Sequence, residues 1–108
     1  MIYEIRTYRC KPGTVQRQIA FYRDHGLAIQ TRHLGAPLVF GATEFGDVNS
    51  YVHVWAFADF ADRNARRGAM MADPEWRDFL GMSAERDDVL SQENTVLKGA
   101  DFMPQAGQ

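Results

Sequence analysis

Residues 51 to 57, Tyr-Val-His-Val-Trp-Ala-Phe, alternate large and small side chains along a run of β-favouring residues. Successive side chains of a strand point to opposite faces. Tyr51, His53, Trp55 and Phe57 therefore share one face, and Val52, Val54 and Ala56 the other. Residues 2 to 9 alternate in the same way and predict a first strand, with Tyr3, Ile5 and Thr7 on one face and Ile2, Glu4, Arg6 and Tyr8 on the other. Lys11-Pro12-Gly13 breaks that strand. Val15, Ile19, Tyr22, Gly26 and Ile29 then recur at three- and four-residue steps, predicting a helix from about Thr14 to about His33. Gly26 inside that helix costs roughly 1 kcal/mol relative to Ala, and marks either a close approach of the sheet or a bend. Leu34-Gly35-Ala36-Pro37 ends the helix.

Leu38 to Phe45 predicts a second strand, joined through Gly46-Asp47-Val48-Asn49 to the strand at 51 to 57 as a hairpin. Asp59 is placed to cap a second helix running to about Met71. Asp73-Pro74 is a further start signal, a capping Asp followed by Pro at the first helical position, and opens a short helix carrying Trp76, Phe79 and Leu80 on one side. Ser91 to Lys98 predicts the fourth strand. The order is β-α-β-β-α-β, an α+β, ferredoxin-like protomer. It occupies residues 1–98 as one domain, followed by a tail at 99–108.

Such a domain covers one face of its sheet with helices and leaves the other bare. Seven Phe, four Tyr and two Trp are many for 108 residues of that design, so some aromatic surface is expected to close against another subunit. Packing the small face of Val52, Val54 and Ala56 under the helices turns Tyr51, His53, Trp55 and Phe57 toward that second cover.

Twelve Lys and Arg against fourteen Asp and Glu give a net charge of −2, which speaks against a nucleic-acid partner. A single cysteine, Cys10, excludes an intramolecular disulfide and any zinc site built on several cysteines. No apolar stretch reaches the ~20 residues a membrane span needs, and Glu4 and Arg6 interrupt any signal-like start. A cytoplasmic protein without membrane insertion is the expectation.

Several short motifs stand in a characteristic order: Tyr3-Glu4-Ile5-Arg6-Thr7-Tyr8, Lys11-Pro12-Gly13, His53-Val54-Trp55, the helix from Arg63 to Arg67, Asp73-Pro74-Glu75-Trp76, and Gln92-Glu93-Asn94. Together they span residues 3 to 94, and the set resembles the NIPSNAP family. The resemblance implies a homodimeric α/β barrel in which two four-stranded sheets meet face to face, the cover that the aromatic face lacks. It does not imply one reaction, since the wider barrel superfamily includes cofactor-free oxygenases, haem-degrading enzymes, isomerases and proteins without known activity.

With the aromatic face turned inward, a semi-enclosed barrel cavity in each protomer is expected, lined by Glu4, Arg6, Tyr8, Tyr51, His53 and Trp55, with Gln92 and Asn94 joining from the fourth strand. Aromatic walls, one guanidinium and one imidazole suit a small, partly apolar metabolite bearing an anionic or carbonyl oxygen. Arg6 is the candidate to hold that oxygen and His53 to move a proton near neutral pH. Three functions follow: binding of such a metabolite, cofactor-free oxygenase or isomerase chemistry using His53 and Arg6, or a non-catalytic dimeric interaction protein. Against these stands a structural Glu4–Arg6 ion pair with a core histidine. His25 and His33, eight residues apart, lack the spacing of a metal pair, and no metal or cofactor is expected. Arg63, Arg66 and Arg67 read as a solvated face pairing with Asp59, Asp62 and Asp73. Cys10 has neither a base nor an oxyanion hole near it in sequence.

Overall fold

The computed structural model describes residues 1–103, so the expected tail at 99–108 lies outside the described residues beyond that point. The elements run β1 (Ile2–Cys10), α1 (Val15–His25), α2 (Leu27–Leu34), β2 (Val39–Ala42), β3 (Ser50–Phe57), α3 (Phe60–Ala72), α4 (Pro74–Arg86) and β4 (Val89–Lys98). The strands form one antiparallel sheet in the order β2-β3-β1-β4. This is the expected α+β, ferredoxin-like arrangement, with a pair of helices in each crossover where the sequence suggested a long helix first and a long and a short one second.

Gly26 divides the first crossover. Its N–H still bonds to the Tyr22 carbonyl at 2.8 Å, but its backbone (φ −120°, ψ −34°) departs from the helix. A Cβ placed there would lie 2.8 Å from Cε1 and Cζ of Phe79. Both readings of this glycine hold together, a bend and a close approach, although the close neighbour is α4 and not the sheet. Asp59 and Asp73 cap as the sequence suggests: their carboxylates accept from the N–H groups of Asp62 (2.8 Å) and Glu75 (2.9 Å). The helix behind Asp73 is 13 residues long, not short. β2 is shorter than the expected 38–45, because its ladder with β3 ends at Ala42↔Tyr51 and the chain then turns out to an exposed Phe45.

The sheet faces are the reverse of the expectation. The core joins Ile2, Trp55 and Phe57 from the sheet to Phe21, Tyr22, Leu34, Met70, Trp76 and Phe79 from the four helices. Tyr51 and His53 are buried on the same side, as are Glu4 and Arg6. Tyr3, Ile5, Thr7, Val52, Val54 and Ala56 occupy the opposite face and are only half-buried, with no helix above them among the described residues. Four helices present large apolar side chains that need large partners, and the aromatic face of β3 supplies them. Charge does not prevent Glu4 and Arg6 from joining this side, since they neutralise one another there.

Candidate functional site

The pairing of the strands assembles the expected residues. Across β1 and β3, Glu4 stands opposite Trp55, Arg6 opposite His53 and Tyr8 opposite Tyr51. Across β1 and β4, Arg6 stands opposite Asn94 and Tyr8 opposite Gln92. All eight therefore share the helix-covered face.

Between this face and the helices lies a cavity of about 350 Å³. Arg6, Tyr8, Tyr51, His53 and Gln92 line it from the sheet, together with Phe40 of β2. Glu4 and Trp55 are buried but contribute no lining surface, and Asn94, which accepts from Gln92 Nε2 at 2.9 Å, also falls outside it. The cavity lies between the sheet and this chain's own helices.

One wall is a set of nearly parallel rings. Tyr8 stacks on Tyr51 with centroids 5.0 Å apart and on His53 at 5.1 Å, and Phe40 stacks on His53 and on Tyr22 at 4.8 Å each. Burial pushes the phenols of Tyr22 and Tyr51 well above their ordinary range, so both stay protonated. The Tyr22 hydroxyl donates to Gln30 Oε1 at 2.6 Å.

His53 was expected to move a proton near neutral pH, and its surroundings favour the neutral ring. Burial first, and then the Arg6 cation, lower its pKa to about 3. Its Nδ1 lies 2.5 Å from Trp55 Nε1. Indole N–H is a donor only, so Nδ1 accepts and the ring proton sits on Nε2. The imidazole enters the cavity wall neutral, with its one lone pair already engaged.

Glu4 organises the cations. Its Oε2 accepts from Arg6 Nη1 at 2.6 Å and its Oε1 from Arg63 Nε of α3. Burial works to raise the Glu4 pKa, but Arg63 and Arg6 outweigh it and hold the carboxyl below its usual range. Burial likewise opposes the charge on Arg6, and its contacts with Tyr8 and Glu4 reverse that, leaving the cation strengthened. The structural ion pair weighed from the sequence is present. It is one arm of a larger arrangement that also points into the cavity, because Arg6 Nε donates to the Tyr8 hydroxyl at 3.0 Å.

The arginines of α3 do not form one solvated face. Arg66 pairs with Asp62 at 2.8 Å as expected, while Arg63 turns inward to Glu4 and Arg67 lines the cavity. The sequence signal for this was the four-residue step from Arg63 to Arg67, which puts both on one side of the helix, set against an inward carboxylate at Glu4. Gln18, Gln30 and Trp76 also line the cavity and carried no chemical signal of their own. Outside the cavity, His33 Nε2 meets Asp73 Oδ2 at 2.8 Å, and this contact, with Arg32 and the Glu75 N–H, lowers the Asp73 pKa to about 2. Cys10 is buried, and burial raises its thiol pKa.

Residues 3–104 match the model of the NIPSNAP family. Similar solved structures include a NIPSNAP family protein with unknown function from Agrobacterium tumefaciens, 42% identical with a TM-score of 0.86, the match covering 96% of this chain and 92% of that one. An uncharacterized NIPSNAP domain protein from Burkholderia xenovorans is 33% identical with a TM-score of 0.89, over 97% and 100% of the two chains. Among curated proteins, the chain is 27% identical to a NipSnap homolog of Dictyostelium discoideum over 95 residues, 88% of this chain and 42% of that protein. The chain thus spans less than half the length of that relative.

Proposed function

The chain belongs to the NIPSNAP family, and we propose that it binds a small, partly apolar molecule in the cavity between its sheet and its helices. The observation that carries this reading is the cavity itself, about 350 Å³ with a ring-stacked wall and two guanidinium groups at its surface. That volume falls at the small end of ligand pockets, and the mixture of apolar wall and few polar groups is typical of them. Binding is favoured over oxygenase or isomerase chemistry by His53, because a base needs a free lone pair and Nδ1 is occupied by Trp55. Glu4 is no better placed, with both oxygens bonded to arginines.

The bare sheet face supports a second part of the reading. Ile5, Val52 and Val54 are half-buried there, flanked by Val39 and Leu97, which are 57% and 48% exposed. A second copy of the chain would cover this face as a homodimeric α/β barrel. In this arrangement the barrel interior is a subunit interface, and the ligand site lies outside it, beneath each protomer's own helices.

Thermal-shift screening against small cyclic molecules, repeated on Ser83→Trp, tests the binding site. Ser83 lines the cavity from α4, and tryptophan there fills it. Compounds that stabilise the wild-type protein and lose their effect in the variant are the expected result. An absence of stabilising compounds, or compounds that act equally on both proteins, would overturn it.

A further inference from the structure

We infer that the cavity receives a flat monocarboxylate that also carries a hydrogen-bond donor, and that Arg67 is the residue that takes the carboxylate. This rests on the binding reading above and goes further by assigning the ligand's charge and the residue that selects it.

Arg6, Arg63 and Arg67 approach one carboxylate, Glu4, and its two oxygens are used by the first two. Arg67 is half-buried, lines the cavity, and makes no hydrogen bond or ion pair among the described residues. Guanidinium does not escape the cost of burial by losing its proton. An unpaired cation in such a place is unfavourable until an anion meets it, and it offers a planar fork that matches a carboxylate. Burial and the neighbouring Arg6 act in the same sense, lowering the Arg67 pKa, and Glu4 offsets them only in part.

Two orphaned polar atoms point the same way. Trp76 Nε1 and Gln18 Oε1 are buried without a hydrogen-bond partner among the described residues, and both residues line the cavity. Leaving such groups unpaired is costly. The indole N–H asks for an acceptor, as a carboxylate or hydroxyl oxygen would provide. The amide oxygen asks for a donor, so the ligand carries an O–H or N–H as well. Arg6 is a poorer carboxylate partner than Arg67, because Nη1 and Nε are committed to Glu4 and Tyr8. One uncommitted guanidinium calls for one negative charge. The near-parallel rings of Tyr51, Tyr8, His53 and Phe40 favour a flat body between the polar ends.

Calorimetric titration with para-hydroxybenzoate and its neutral isostere para-hydroxybenzamide tests this on the intact protein. The carboxylate is expected to bind at least about tenfold more tightly than the amide, the scale of one charge-assisted hydrogen bond. Arg67→Met should abolish that preference, bringing the two probes to about equal affinity. Arg67→Lys should restore part of it, since the charge returns without the fork. Equal binding of the two probes, or a carboxylate preference that survives Arg67→Met, would overturn the assignment while leaving a cavity that binds neutral molecules. Binding of neither probe, when the screen described above yields cavity ligands, would also remove this inference alone. A screen without any cavity ligand would remove both.

Discussion

Trp55 and His53, two residues apart on β3, are joined side chain to side chain: indole Nε1 donates to imidazole Nδ1 at 2.5 Å. The bond fixes the histidine tautomer and keeps the ring uncharged among aromatic neighbours. Burial of the ring, with the Arg6 cation beside it, also sets a pH dependence. The His53 pKa is lowered to about 3 in the fold, against an ordinary value near 6.5, so between those limits the unfolded chain holds the extra proton. The stabilising contribution is complete above the unfolded value and is lost as pH falls toward the folded one. Urea unfolding of the wild-type protein from pH 6.5 to 5 should show stability falling by up to about 1.4 kcal/mol per pH unit from this residue. His53→Gln should flatten the slope in that window. An unchanged slope would mean that His53 is protonated in the native protein.

Glu4 carries a different load from the surface pairs. Removing it leaves Arg6 and Arg63 facing each other in a buried site, which costs about 3–5 kcal/mol when one partner of such a pair is lost. Glu4→Ala should therefore unfold at a much lower urea concentration than wild type. Arg66→Ala, which breaks only the exposed pair with Asp62, should stay within about 0.5 kcal/mol. Similar losses in the two variants would argue against the buried arrangement.

Gly26→Ala should destabilise through contact and not through backbone strain, because its φ of −120° is open to alanine. The new methyl would meet the Phe79 ring at 2.8 Å, an overpacking that costs about 1–3 kcal/mol. Combining it with Phe79→Leu should give a double variant less damaged than the sum of the two. Strict additivity in a denaturation cycle would show that the ring is not the obstacle.

Val54→Arg places a charge in the middle of the bare sheet face, where the side chain is half-buried in one protomer. Light scattering should report a dimer for the wild-type protein and a monomer for this variant, with the far-ultraviolet circular dichroism retained. A wild-type monomer would leave the sheet face without its proposed cover.

The strand pattern made the fold legible. Period-two alternation at 2 to 9 and 51 to 57 placed the two central strands, and Asp59 and Asp73-Pro74 marked true helix starts. What alternation cannot tell is which face receives the helices. It reports that Val54 and Trp55 point apart, and the choice between them depends on the volume the helices bring. Gln92 and Asn94 stand opposite Tyr8 and Arg6 and so share their face, which is the helix-covered one and not the barrel interior that the pattern suggested. Arg63 and Arg67 were misread because charges on an amphipathic helix usually face water. Their inward turn depends on Glu4, 59 residues before Arg63, and only the folded chain brings the two together.

The placement of the two tryptophans gives the protein an optical property of its own. Trp76 lines the cavity, and Trp55 is bonded to the imidazole that helps to wall it. These are the only tryptophans in the chain. Its tryptophan emission therefore originates entirely at or next to the cavity, and needs no attached dye to report what happens there.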